Sequence, residues 1–150
     1  MDMAPAPTVE ARSTVNWPLL GSYSTITIIM NIGLDLKEIR WRGDSREAAH
    51  AFPKGARNKL GKELTRLQMG LQPRDGKALP SVGPGVQEIR IAYNKDAYRT
   101  VYVATLGKFV YILHAFKKKS KTGIETPKSD LDVAKKRYRD LVNLTAREQH

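Results

Sequence analysis

The stretch VQEIRIAYNKDAYRTVYVATLGKFVYILHAFKKK, residues 86–119, decides how this chain folds. It holds three runs rich in Val, Ile, Tyr and Phe, at 86–93, 97–105 and 108–116, separated by Asn94-Lys95-Asp96 and by Leu106-Gly107. β-Branched and aromatic side chains suit a pleated, packed surface, and the separators suit tight turns. The block therefore predicts a three-stranded antiparallel meander.

Polar residues interrupt these runs where a plain core has no use for them: Glu88 and Arg90, then Arg99, then His114 and Lys117 to Lys119. Strand side chains alternate between faces, so register decides which of them meet. A two-residue turn at Leu106-Gly107 pairs Thr105 with Lys108 and, counting back, sets Arg99 opposite His114. In the first hairpin, a two-residue loop of Lys95 and Asp96 puts Glu88 and Arg90 on the face of Arg99 and His114, whereas a three-residue loop puts them on the other face. The two-residue loop is the reading adopted. It keeps the charges together and leaves Gln87, Ile89 and Ile91 for the opposite face.

Working outward, LKEIRW at 36–41 alternates as a strand, with Leu36, Glu38 and Arg40 on one side and Lys37, Ile39 and Trp41 on the other. Gly43-Asp44-Ser45 breaks it, and Asp44 followed by Glu47 has the form of a capping box opening a short helix through Ala51. Pro53 starts a second helix running to about Gln68. That helix sets Ala56, Leu60, Leu64, Leu67 and then Leu71 on one face, and Lys54, Arg57, Lys59, Lys62 and Arg66 outside. Residues 72–85 read as a Gly/Pro loop without the Gly-Lys-Ser/Thr close of a nucleotide-binding loop. Residues 120–125 form a basic linker. Thr126-Pro127 caps a last helix, with Leu131, Ala134, Tyr138 and Leu141 in its apolar stripe and Lys135, Lys136, Arg137 and Arg139 outside. The fold class is α+β: strand, two helices, three-stranded meander, C-terminal helix around a small antiparallel-rich sheet.

The 150 residues fit one domain, with 1–34 as a disordered or weakly ordered N-terminal extension and 35–145 as the organised unit. The charge-free stretch between Arg12 and Asp35 is too polar for a spanning helix, so no membrane role is expected. Met30, just before the organised unit, could serve as the natural start. There are no cysteines, which excludes disulfides and thiolate metal sites, and His50, His114 and His150 show no metal-ligand spacing. Lys and Arg number 26 against 15 Asp and Glu, a formal charge of +11. The basic runs KKKSK at 117–121 and KKRYR at 135–139 concentrate that excess and point to a polyanion as partner or substrate.

The polar residues of the meander suit RNA cleavage by acid/base chemistry without metal or cofactor. A base removes the proton of the ribose 2′-hydroxyl, cations stabilise charge growing on the phosphate, and an acid protonates the departing 5′-oxygen. Histidine serves either proton role near neutrality, and arginine matches phosphate geometry. Ordinary structural roles stand beside these. Arg99 could bridge carbonyls or stack on a ring, His114 could be a satisfied core histidine, and for Glu88 an ion pair with Arg90 outranks work as a base. Lys117, Lys118 and Lys119 favour phosphate contact.

The segments KEIRWRGDSREAAHAFP (37–53), VQEIRI (86–91), AYRTVYVA (97–104) and VYILHAFKKKSKTGIETP (110–127) resemble the RelE/ParE toxin superfamily, in particular its HigB-like, phage-related branch. The resemblance implies a compact RelE-like α+β toxin of a type II toxin–antitoxin system in the cytoplasm, held by a cognate antitoxin of helix-turn-helix type. It further implies ribosome-dependent cleavage of mRNA. Carried over, Arg99 stabilises the transition state, Arg90 is a retained cation, Glu88 stands where a lysine is usual, and His114 with Lys117 and Lys118 forms the functional end of the third strand. With Lys119 and the helix cations Lys54, Arg57 and Lys62 as RNA or ribosome contacts, this completes the expected site. A ParE-type inhibitor of DNA gyrase and a basic nucleic-acid-binding phage accessory protein are the alternatives.

Overall fold

The computed structural model describes residues 35–118 and 125–148. The N-terminal extension, Met30, Lys119 and nearly all of the expected basic linker lie outside the described residues. The elements are β1 (Glu38–Trp41), α1 (Ser45–His50), α2 (Lys54–Gln68), β2 (Gly76–Ala78), β3 (Val86–Tyr93), β4 (Asp96–Val103), β5 (Phe109–Lys118) and α3 (Lys128–Glu148). They build an α+β fold around one mixed sheet of order β1-β5-β4-β3-β2, in which β1 runs parallel to β5 and every other pair is antiparallel. No helix among the described residues is long and apolar enough to cross a membrane.

The sheet is packed on both faces, which explains why its strands read as nearly continuous apolar runs. Ile89, Ile91, Tyr98, Tyr102, Val110 and Ile112 pack on α1 and α2 through Ala49, Ala56, Leu60, Leu64 and Leu67. Val86, Val101, Val103, Tyr111, Leu113 and Phe116 pack on Ala134 and Leu141 of α3. The apolar stripe of α2 is thus as expected up to Leu67, while Leu71, beyond the helix, is 46% exposed.

Five expectations are corrected. The 72–85 segment contains β2, which pairs with β3 from Gly76↔Ile89 to Ala78↔Gln87. The first hairpin does turn on two residues, but these are Asn94 and Lys95, at φ 53° and 68°, with Tyr93 opposite Asp96. Both central residues at positive φ make the twist-matched hairpin turn, and Glu88 and Arg90 still share the face of Arg99. In the second hairpin Val103 pairs with Tyr111, and the register then shifts, so that Val101 pairs with His114 and Arg99 with Phe116. The pairing skips Leu113, a bulge that turns both Leu113 and His114 toward α3. Arg99 and His114 therefore share a face without being partners. Finally, Asp44 stands at the N-cap of α1 but makes no side-chain cap bond. Its carboxylate accepts from Arg137 at 2.8 Å, and Arg137 also donates to the Leu113 carbonyl at 2.9 Å. Arg137, expected outside α3, instead clamps the helix to the bulge and to α1.

Candidate functional site

The α3 face of the sheet gathers all four of the expected catalytic residues. Glu88 and Arg90 alternate with Gln87 and Ile89 on β3, Arg99 lies opposite Arg90 on β4, and His114, Phe116 and Lys118 follow along β5. The chain entering α3 crosses this cluster. Thr126 donates its hydroxyl to Glu88 Oε2 at 2.9 Å, and Asp130 Oδ1 lies 2.8 Å from His114 Nε2.

Glu88 is completely buried and Arg99 is 6% exposed, with Arg99 Nε 3.4 Å from Glu88 Oε1. Glu88 thus pairs with Arg99, not with Arg90. The contact is an ion pair whose atoms are out of hydrogen-bond alignment, since neither Nε nor Oε1 finds a hydrogen-bond partner among the described residues. Burial lowers the Arg99 pKa from its ordinary value, and the Arg90 charge adds to this, while the Glu88 and Asp75 carboxylates oppose both. A guanidinium shifted in this way still carries its charge at neutral pH, so one buried carboxylate faces a strongly positive neighbourhood.

The second pair is better aligned. Asp130 fixes one nitrogen of His114, the ring stacks on Phe116 with centroids 5.1 Å apart, and the other nitrogen, Nδ1, is buried with no partner among the described residues. With Nε2–H donated to the carboxylate, Nδ1 carries the lone pair, as a proton acceptor requires.

The remaining expected residues do not join this cluster. Lys118 is buried on the same face, whereas Lys117 belongs to the α1–α2 face, opposite Tyr98, and pairs with Asp96 at 3.2 Å. Lys54 and Lys62 are exposed on α2, and Arg57 donates to the His50 carbonyl at 3.1 Å. The sheet stands between these three and His114. Thr126 and Asp130 were missed as site residues, although the acidic first turn of the last helix lies only sixteen positions after His114. Among the described residues no three His, Cys, Asp or Glu side chains gather as a metal site would require.

Comparison with curated proteins and with solved structures finds no match. Residues 47–139 match the family model described as phage derived protein Gp49-like (DUF891). That span is more than half of the chain, and it runs from α1 into α3, taking in Glu88, Arg90, Arg99, His114 and Asp130. The chain belongs to the Gp49-like family of phage-derived proteins.

Proposed function

We propose that this protein is a RelE/ParE-type toxin that cuts mRNA on the ribosome by acid/base chemistry through the ribose 2′-hydroxyl, acting in the cytoplasm and restrained by a helix-turn-helix antitoxin. The observation that carries the reading is the His114–Asp130 pair, 2.8 Å apart, on the same sheet face as Arg90, Arg99 and Lys118. His114 moves the proton, and Asp130 holds its tautomer and stabilises the imidazolium that forms. Arg99 and Arg90 stabilise the charge that grows on the phosphate. Glu88, buried between Arg99 and Thr126, holds the guanidinium in place and is not the base. Because Thr126 is bonded to Glu88 and Arg99 is only 6% exposed, RNA contact with Arg99 requires this end of the cluster to open.

The test is primer extension on an mRNA undergoing translation in a reconstituted system, with wild-type protein, His114→Gln and Arg99→Lys, each checked for folding by thermal melt. New ends at A-site codons are expected with wild type, reduced about 100- to 10,000-fold in each variant. Unchanged cleavage in a folded His114→Gln protein overturns the assignment. Toxicity on expression without new ends, together with blocked supercoiling in a gyrase assay, replaces it with gyrase inhibition.

A further inference from the structure

On the outer side of α3, away from the His114 cluster, a groove of about 400 Å³ runs between the helix and the turn that precedes β3. One wall is a stripe of α3 carrying Lys135, Tyr138, Arg139 and Asn143, and the other is Ser81 with Val82. The turn is rigid. Val82 and Val86 donate backbone bonds to the Leu79 and Gly83 carbonyls at 3.0 and 3.2 Å, and the Tyr138 ring lies so close to Gly83 that a Cβ there would collide with it. Among the described residues no acidic side chain lines the groove.

Charge pairing along α3 sets this stripe apart. Lys128 pairs with Asp132 at 3.1 Å, Lys136 with Asp140 at 3.0 Å, and Arg137 with Asp44 at 2.8 Å. Lys135 and Arg139 have no carboxylate partner among the described residues. They stand one helical turn apart on one face, so their side chains reach the same ligand. Two unneutralised cations, flanked by the Asn143 amide and the Ser81 hydroxyl, match phosphates together with a neighbouring hydroxyl. We infer that this groove binds the sugar–phosphate backbone of RNA, with Lys135 and Arg139 on successive phosphates and Asn143 or Ser81 on a ribose 2′-hydroxyl. The inference goes beyond the proposed cleavage and does not depend on it.

The experiment is fluorescence anisotropy of a fluorescein-labelled poly(U) oligonucleotide with the full chain, in a salt series without ribosomes. The variant Lys135→Ala/Arg139→Ala is compared with Lys128→Ala/Lys136→Ala, which removes the same charge from paired positions on the same helix. Loss of two phosphate contacts lowers the slope of log affinity against log salt by about 1.4 for single-stranded RNA. The groove variant is expected to show that drop and to bind at least about tenfold more weakly at low salt, while the control keeps the wild-type slope. Equal losses in the two variants overturn the inference, because they mean a diffuse field and not a site. Poly(dT) binding as tightly as poly(U) overturns the assignment to RNA, and a poly-Glu peptide displacing the oligonucleotide with the same dependence on Lys135 and Arg139 reassigns the groove to an acidic protein.

Discussion

Replacing Glu88 with Gln keeps the shape of the side chain and removes its charge, and its effect follows from where Glu88 sits. The carboxylate is fully buried, it is the ion-pair partner of Arg99, and Arg99 lies opposite a second arginine, Arg90. The substitution leaves the Arg99 guanidinium buried beside a like charge, with only the weaker pull of the Asp75 carboxylate to compensate it. Removing one partner of such a pair costs about 3–5 kcal/mol. For a domain of this size that corresponds to a fall in Tm of about 10–20 °C. Because the penalty belongs to the orphaned arginine, Glu88→Gln/Arg99→Met should recover most of it, giving a coupling of at least about 2 kcal/mol in a double-mutant cycle. Urea unfolding of wild type, both single variants and the double variant measures this. A Glu88→Gln protein within about 1 kcal/mol of wild type, or a double variant no more stable than the single, would refute the reasoning.

Other outcomes follow from single residues. Burial pushes the Tyr102 hydroxyl up to about 12 from an ordinary 10. The unfolded chain therefore loses this proton before the folded one does, and stability should fall by about 2 kcal/mol as pH rises from 10 to 12. Tyr102→Phe removes that alkaline slope along with the 2.9 Å bond to Gln87, and an unaltered slope in urea melts across this range would count against the assignment. Gly43 has φ +56°, and a Cβ there would meet the Arg137 guanidinium at 2.5 Å. Gly43→Ala should cost about 1–2 kcal/mol in backbone conformation alone. It should also push Arg137 off Asp44, whose carboxyl is held below its usual range first by the Arg137 hydrogen bond and then by its charge. An NMR titration should show the Asp44 pKa rising in this variant, and no movement would show that Arg137 keeps its place.

Much of the architecture was legible because its signals are local. The period of α2, the Val/Ile/Tyr runs of the meander and the Thr126-Pro127 start of α3 each state their element within a few residues. What was hidden depends on partners distant in sequence. Gly76-Lys77-Ala78 has no strand character of its own and is extended because the outer edge of β3 offers it a ladder. The bulge at Leu113 leaves no mark in a run of apolar residues, yet together with a one-residue offset at the turn it sets Arg99 opposite Phe116, and it keeps His114 on the face where it meets Asp130. Glu88 was rightly placed on the face of Arg99, but its ion-pair partner was assigned as Arg90, since nothing in the strand reveals that Thr126, thirty-eight residues on, seals the pair. Arg137 read as one more surface cation because its two acceptors, Asp44 and the Leu113 carbonyl, are brought to it by the fold.

The parallel pairing of β1 with β5 has a kinetic consequence. Glu38 meets Phe109 and Trp41 meets Ile112, so residues 71 positions apart must find one another before the two parts of the sheet join. As the chain is made, β1, both short-range helices and the β3–β4 hairpin are available early, but the strand that unites them comes after all of these, and α3 later still. Long-range pairing of this kind is slow, and until it closes the first strand has no neighbour in the sheet. His114 and Asp130 lie on the two elements synthesised last, so the arrangement proposed for catalysis is also the final one to assemble. A nascent chain interrupted before β5 carries neither residue and none of the geometry that depends on them.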